Sequence, residues 1–250
     1  MMFTVVPVAT EDALRNRDWI EGNIRKVNAA TGGRVAYAKF DKYVPRSEPA
    51  ERTAGAKIAH FDRITARLAQ LGGAKAVGAT TLCPFSNDNS STWVFIEGKP
   101  EPTPDKQPLA GYNVVTPGYF DALGVPMAEG RGFNGQDTLS DDFWEAGKKF
   151  LREEIKLNDM PSVERVAIIN ETMAKEFWPG EDPLGRRFAQ GKMDEHSNWY
   201  RVVGIVKDFH KTGIGQPIVP EMYIALSQTG SREMYYVVRG DASLPARVPD

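Results

Sequence analysis

Cysteine, histidine and long apolar runs are all scarce in this sequence of 250 residues. Its single cysteine, Cys83, excludes an intramolecular disulfide framework, and its three histidines share no spacing typical of a zinc site. No stretch approaches the roughly 18 uninterrupted apolar residues of a membrane-spanning helix. The first ten residues show neither the basic start nor the apolar run of a signal peptide. Taken by itself, the sequence predicts a soluble chain without a targeting segment.

An excess of charge of one sign is missing too. The 31 Lys and Arg residues balance 33 Asp and Glu residues, which gives a net charge of −2. This balance argues against a nucleic-acid-binding protein, because that role needs a clustered positive surface. Hydrophobic residues make up 41% and aromatic residues 10% of the chain, too much for a disordered chain. They suffice for one large domain or two small ones.

The apolar periodicity predicts many short strands mixed with a few helices. The clearest helix spans residues 57–71, where apolar residues recur at spacings of three and four before Gly72 and Gly73 end it. Because regular alternation of strands and helices is missing, the pattern predicts an α+β fold rather than a Rossmann fold or a βα barrel. Further helices are predicted at residues 11–30, 117–124, 141–158 and 170–177, and strands at 34–40, 74–85, 93–97, 112–116, 163–169, 200–206, 221–225 and 235–239.

Residues with catalytic or metal-binding chemistry do not form a convincing group. The Asp-Glu-His run at 194–196 supplies at most one or two metal ligands, because adjacent side chains point in different directions. The segment 208–211 could place a general base after a strand, but a solvated loop explains it as well. His60 flanks an apolar helix position, and Cys83 fits a small core residue better than a nucleophile. We therefore predict no catalytic, cofactor-binding or metal-binding residue.

Four aromatic residues leave two interpretations open. Trp144, Trp178, Trp199 and Tyr200 could form a ligand cradle, or they could cover the core or a partner surface. Among proteins in general, aromatic side chains supply much of the buried area of both cores and interfaces. We favour the second interpretation.

Most of the chain resembles a known family. Six motifs from about residue 57 to 241 occur in the order found in the periplasmic core domain of MacB-type ABC transporter permeases. The most specific is RVAIINETMAKEFWPGEDPLGRRF at residues 165–188. Residues 138–164 depart from the pattern, because the family is usually shorter there. The six motifs occupy residues 61–85, 112–126, 129–137, 165–188, 200–208 and 237–241.

The resemblance implies scaffold positions and a two-part fold. The fold would be a two-subdomain α+β domain, with a porter-like βαβ layer and an inserted mixed β subdomain. The implied boundaries are 57–241 for the whole domain and about 92–210 for the inserted subdomain, with an extra helix at about 141–158 and a tail at 242–250. The structural motif residues are Tyr119, Phe120, Gly130, Arg131, Phe133, Asn170, Asp182, Pro183 and Gly185.

The first forty residues resemble a different family. They are similar to the stretch of tricorn-like serine proteases between the PDZ module and the peptidase core, and residues 41–56 read as a linker. The nucleophile-bearing and His-bearing parts of that family have no counterpart here. The chain is therefore interpreted as a gene fusion, a truncated reading frame or an artefact of gene assembly.

Three functions follow as hypotheses. The leading one is a non-enzymatic domain on the extracytoplasmic, periplasmic face of a bacterial inner membrane, working in efflux or mechanotransmission. Its implied partners are permease membrane helices, a second permease copy and a cytoplasmic ATPase subunit, with no nucleic acid, small-molecule ligand or cofactor. The alternatives are a remnant or fusion of a tricorn-like protease and a free-standing protein-binding module.

Overall fold

Strands outnumber helices in the described part of the chain. This computed structural model describes residues 35–40, 54–83, 89–100, 102–103, 108–156, 159–161, 163–191, 199–211, 216–231 and 233–241. Within them the strands are β1 Val35–Phe40, β2 Ala74–Thr80, β3 Ser91–Ile96, β4 Leu109–Val115, β5 Met127–Gly130, β6 Arg165–Asn170, β7 Arg187–Gln190, β8 Trp199–Val206, β9 Glu221–Ala225 and β10 Met234–Gly240. The helices are α1 Ala54–Ala69, α2 Tyr119–Leu123, α3 Asp141–Leu151 and α4 Glu171–Phe177, with a 3₁₀ helix at Leu226–Gln228.

Three strands form what we call the outer sheet. Strand β10 lies between β1 and β2 and is antiparallel to both. Strands β1 and β2 are therefore parallel to each other, and α1 connects them along the chain. This is a split β-α-β unit, and it confirms the predicted α+β class with its βαβ layer.

Six strands form what we call the ring. Following the hydrogen-bonded neighbours from β4 leads through β3, β7, β8, β6 and β9 and back to β4. The closing pair, β4 with β9, is parallel and runs from Gly111 opposite Glu221 to Val115 opposite Ala225. Strand β5 adds to the side of β8. Each ring strand is thus paired on both sides.

The interior of the ring is filled by side chains. One cluster of buried residues takes members from all six ring strands, so it must lie inside them. Residues of α4 and the residue after it cover this cluster: Met173, Phe177 and Trp178 belong to it. The strand members are Val94, Ala110, Ala167, Ile169, Phe188, Tyr200, Val202, Ile205, Met222 and Ile224.

The outer sheet is covered on both faces. On one face Phe61 and Leu68 of α1 pack with Tyr236 and Val238 of β10, and the Tyr236 hydroxyl donates to the Phe61 carbonyl at 2.9 Å. On the other face α2 packs against β2 and β10, and Val237 belongs to the cluster around α2. The alternation of β10 residues between the two clusters follows from the two-residue period of a strand.

Several element boundaries differ from the sequence-based expectation. Helix α1 begins at Ala54, inside the predicted linker 41–56. Helix α2 begins at Tyr119 rather than Pro117, because Gly118 adopts φ +85° and takes the N-cap position. The predicted helix 141–158 ends at Leu151, and the predicted strand 74–85 ends at Thr80.

Two strands escaped prediction. Strand β7 is only four residues long and has a single large apolar residue, and β5 was expected to be part of a glycine-rich turn. The predicted helix 11–30 and the tail 242–250 lie outside the described residues.

In the part of the chain that the structure describes, we find no helix with both the length and the apolar character needed to cross a bilayer.

Candidate functional site

Helix α2 joins the outer sheet to the ring, and we call the region around it the junction. On the side of the outer sheet its backbone contacts β2 directly: a Cβ built on Gly78 would lie 2.3 Å from the Tyr119 Cα. On the side of the ring the Phe120 ring packs edge-to-face on Tyr223 of β9, with centroids 4.9 Å apart. Tyr119 is fully buried and Phe120 nearly so. Only a residue without a side chain fits at Gly78.

Hydrogen bonds join β4 to β2 at the same place. The Asn113 Oδ1 atom accepts from the hydroxyls of Thr80 at 2.8 Å and Thr81 at 3.1 Å. The Thr116 Oγ1 atom accepts from the Ala79 N–H at 2.7 Å. Asn113 is fully buried, so losing these bonds would leave polar groups unpaired in the core. Strand β4, which belongs to the ring, is in this way fixed to the outer sheet.

A buried ion pair lies beside the junction. The Lys211 Nζ atom is 2.7 Å from Glu221 Oε1, and both side chains are less than 10% exposed. The Tyr223 hydroxyl donates to the other Glu221 oxygen at 3.0 Å. Burial and the neighbouring Glu221 carboxylate raise the pKa of Tyr223 well above its ordinary value, so this hydroxyl keeps its proton.

The cavity at this ion pair is small. It has a volume of about 20 Å³ and is lined in part by Asn170, Lys211, Glu221 and Tyr223. That volume admits about one water molecule and no organic substrate. The ion pair is therefore a structural feature that sequence reasoning missed. The signal available was a charged residue, Glu221, at the start of an otherwise apolar strand.

Asn170 ties α4 to the ring. Its Oδ1 atom accepts from the Met173 N–H and from the Glu221 N–H, each at 2.9 Å. Its Nδ2 atom donates to the Val219 carbonyl at 2.9 Å. Asn170 is thus the N-cap of α4 and links that helix to the start of β9.

Arg131 and Asp137 close the loop after β5. The guanidinium donates two bonds to the carboxylate, at 2.7 and 2.8 Å, and the Asn134 N–H donates a third at 2.9 Å. Burial opposes the charge of Asp137, but the Arg131 and Asn134 bonds outweigh it and hold the pKa of Asp137 below its ordinary value. Gly130 precedes the loop with φ +69°, and Phe133 within it packs into the cluster around α2.

The segment after α4 turns the chain back towards β8. The Asp182 Oδ1 atom accepts from the Leu184 N–H at 2.9 Å, while Pro183 is buried. Gly185 adopts φ +78°, and its N–H donates to the Val202 carbonyl at 2.9 Å. The nine predicted motif residues therefore lie in three places: at the junction, in the loop after β5 and around α4.

The residues with possible catalytic chemistry lie on separate segments of the chain: His60 on α1, Cys83 after β2 and Asp208 after β8. The Asp208 carboxylate accepts from the Thr172 N–H at 3.0 Å and the Thr172 hydroxyl at 2.8 Å. Burial and the charge of Arg63 lower the pKa of His60. Cys83 is buried. The run at 194–196 lies outside the described residues, and the described ones contain no group of three metal-ligating side chains.

The four aromatic residues do not meet in a cradle. Trp178 and Tyr200 are buried inside the ring. Trp199 is half-buried under the guanidinium of Arg187, 5.7 Å from its ring centroid, and Trp144 lies on α3. The interpretation as core and surface residues therefore accounts for them better than a ligand cradle.

A wider groove runs beside α4. It has a volume of about 220 Å³, with Trp178 and Ile205 at its apolar floor and glutamates at its rim. Two of the three glutamates that line it are in ion pairs: Glu171 with Lys207 at 2.8 Å and Glu181 with Lys99 at 3.4 Å.

This geometry defines an α+β scaffold with a buried polar junction, and the comparisons with known proteins place it among the periplasmic domains of ABC transporter permeases. The chain belongs to the MacB-like periplasmic core domain family, whose model matches residues 22–247. This match confirms the resemblance to MacB-type permease domains that residues 57–241 carry. No curated protein matches the chain significantly.

Solved structures are also similar to the chain, among them two extracytoplasmic domains of transporters. The periplasmic region of MacB from Actinobacillus actinomycetemcomitans has 17% identity and a TM-score of 0.44, over 72% of this chain. The extracellular domain of the noncanonic ABC-type transporter YknZ from Gram-positive bacteria has 17% identity and a TM-score of 0.40, over 82% of this chain and 86% of that one. The chain spans 64% of the length of the MacB region. Because both TM-scores are below 0.5, the assignment rests on the family model.

Proposed function

We propose that this chain is the extracytoplasmic domain of an ABC transporter permease and passes ATP-driven motion on as a rigid body, without a covalent step. Membership of the MacB-like periplasmic core domain family over residues 22–247 carries this proposal. The partners would be the membrane helices of the permease, a second permease copy and a cytoplasmic ATPase subunit. The domain would lie on the outer face of the inner membrane.

The junction supports a rigid-body role. A force on the ring reaches the outer sheet through β4, whose first residues pair within the ring and whose last residue, Val115, pairs with Thr80 of β2. Helix α2 adds a second path, because it contacts Gly78 on one side and Tyr223 on the other. Packed cores of this kind resist continuous deformation, so the two parts would move together.

The absence of covalent chemistry is part of the proposal. The described groups that could react have structural partners instead: Asp208 binds Thr172, and Glu221 binds Lys211 and Tyr223. Catalysis would require a nucleophile, a base and a substrate cavity in reach of one another. The cavity at Glu221 holds about one water.

We also propose that the ring is the inserted subdomain and the outer sheet the porter-like layer. The ring strands extend from Ser91 to Ala225, so the inserted part would reach beyond the boundary of about 210 taken from the sequence. Its last strand, β9, pairs with β4 and β6. The strands on either side of the ring along the chain, β2 and β10, pair with each other.

Labelling from outside the cell tests the location. Ser91 is exposed, so a Ser91→Cys variant in the full permease would react with a membrane-impermeant maleimide on intact spheroplasts. The unchanged chain is the matched control, because its Cys83 is buried. Labelling of Ser91→Cys only after lysis would contradict the proposed location.

A distance measurement tests the rigid-body mechanism. Spin labels at Lys75→Cys and Ser91→Cys would report on the outer sheet and the ring, since both residues are exposed. We expect one distance distribution in the assembled permease, unchanged between the nucleotide-free and ATP-bound states. A nucleotide-dependent second distance would show that the junction bends and would overturn the mechanism.

A further inference from the structure

Helix α3 has an apolar side that the described part of the chain leaves incompletely covered. Phe143, Trp144, Ala146 and Gly147 are half-buried, and Phe150 is 39% exposed. At 100° per residue these five positions fall within an arc of about 160°. None of the α3 residues 141–150, whose exposure the structure describes, is buried. An amphipathic helix in a globular domain ordinarily covers such an arc.

The body of the domain holds α3 near its start. The Arg165 guanidinium lies 5.6 Å from the centroid of the Phe143 ring, and Trp144 packs edge-on against Phe143. Arg165 is in turn fixed by a bond from Nη1 to the Gln228 carbonyl at 3.3 Å. Among the described residues no other helix or strand packs extensively against α3. Within the described chain, the stretch from Gly147 to Phe150 therefore has little cover.

The charges on α3 identify the partner. Its first turn carries Asp141 and Asp142, and its last turn carries Lys148 and Lys149. Each acid is seven residues, about two turns, from a base on the same edge of the helix. The two edges of the apolar arc are thus acidic at one end and basic at the other. In a parallel pair of such helices acid would face acid, whereas in an antiparallel pair acid faces base on both edges.

The sizes of the apolar residues fit the same arrangement. The two large rings, Phe143 and Trp144, lie in the first half of the helix, and the two small residues, Ala146 and Gly147, follow in the second half. In an antiparallel pair centred at the level of Glu145, Phe143, near the middle of the arc of one helix, lies opposite the small Gly147 of the other. Aromatic side chains over small residues allow close packing of two helices.

We propose that α3 pairs antiparallel with α3 of a second copy of this chain. A two-fold axis that crosses the apolar arc at the level of Glu145 along the helix relates the copies, and Asp142 of each faces Lys149 of the other. The intrahelical ion pair of Lys148 with Glu145 opens in part to reach the second copy. Such a contact uses one patch twice, as two-fold interfaces do.

The pairing is weak in free solution. Helix α3 has 11 residues and is about 16 Å long, so the buried area falls well below the roughly 800 Å² per partner of a stable interface. Two copies held in one membrane would meet at a high effective concentration, which converts weak pairing into a stable contact. The identity of the partner rests on the proposed function, in which a second permease copy is present.

A charge exchange in the full chain tests the pairing. D141K/D142K makes both ends of α3 basic, and K148E/K149E makes both ends acidic. In sedimentation equilibrium over a hundredfold concentration range we expect the unchanged chain to dimerise reversibly. Each variant should associate with itself about tenfold more weakly than the unchanged chain, or not at all. An equal mixture of the two variants should regain the association. Circular dichroism checks that both variants keep their helices, and D141N/D142N is the milder variant if lysines disturb the first turn.

Three outcomes would overturn the pairing: no dimer at any concentration, a dimer that survives in both charge variants, or a mixture of folded variants that does not associate. Sedimentation with phosphatidylcholine vesicles tests the alternative that the apolar side of α3 binds a membrane surface. Vesicle binding that is lost in Trp144→Ala, in a chain that stays monomeric, would assign the apolar side to the membrane surface. Neither result affects the labelling of Ser91→Cys. The labelling therefore tests the proposed function independently of the pairing.

Discussion

The ring and the outer sheet cover their apolar surfaces in different ways. The ring pairs each of its strands on both sides and fills its interior with its own side chains, with α4 over them. The outer sheet has three strands, and in the described chain β1 pairs only with β10. It depends on α1 for one face and α2 for the other. A damaged ring should therefore affect the whole domain, whereas a damaged helix contact at the outer sheet should have local effects.

The ring interior should show the largest effect. Phe188 is fully buried and stacks on Tyr200 with centroids 5.7 Å apart. We expect Phe188→Ala to lower the free energy of unfolding by about 3–5 kcal/mol, because it leaves a cavity that the closed ring cannot fill. Urea denaturation measures this loss. Leu109→Ala, at an exposed position outside α3, is the control and should change little; equal losses would contradict the closed interior.

Next in size is the ion pair beside the junction. Lys211→Met leaves the buried Glu221 carboxylate without its cation and should lower the free energy of unfolding by about 3 kcal/mol. Adding Glu221→Gln to that variant should restore part of the loss, because the uncompensated charge is removed. Urea denaturation of the single and double variants forms a cycle. A double variant less stable than Lys211→Met would show that the charge is not the cause.

The contact of α2 with the outer sheet should give a smaller and more local effect. Gly78→Val places a side chain into the Tyr119 backbone, and we expect a loss of about 1–3 kcal/mol from overpacking. Hydrogen exchange should show faster exchange in β2 and β10 with little change in β6 and β8. Gly135→Ala, where the space is open, is the control. Equally faster hydrogen exchange in the outer sheet and in the ring would show that the effect of Gly78→Val is not local.

The loop after β5 should show the smallest effect, and it depends on pH. Because the pKa of Asp137 is lowered in the folded state, its charge stabilises the fold above its unfolded-state pKa, near 3.9. That stabilisation is lost as the pH falls through the lower folded-state pKa. We expect Asp137→Asn to cost about 1 kcal/mol at pH 7. Urea denaturation at a series of pH values should show this difference shrinking below about pH 4, and a constant difference would contradict it.

Local features of this fold could be predicted from the sequence. The amphipathic periodicity around Phe61 and Leu68 gave α1 to within a few residues. The alternation and β-branched residues gave β6, β8 and β10. Asn170 followed by Glu171 gave the start of α4, where the side chain caps the helix. These features depend on neighbours in sequence, which is why a single sequence contains them.

Contacts between distant segments could not be predicted in this way. Strand β7 is a strand because β3 and β8 flank it, and its own four residues carry almost no signal. Lys211 and Glu221 are both charged residues that a sequence reading places on the surface, and only the packing around them makes them partners. The ring itself depends on the pairing of β4 with β9, which leaves no trace in either strand alone.

The parallel pair of β4 with β9 also sets an order of events during synthesis. Gly111 pairs with Glu221, so a ribosome must extend the chain well past β8 before the ring can close. Until then β4 and β6 each expose an unpaired edge, and exposed edges recruit other strands. Long separations between paired strands also slow folding. A nascent chain of this domain would therefore need protection from aggregation until its ninth strand leaves the exit tunnel.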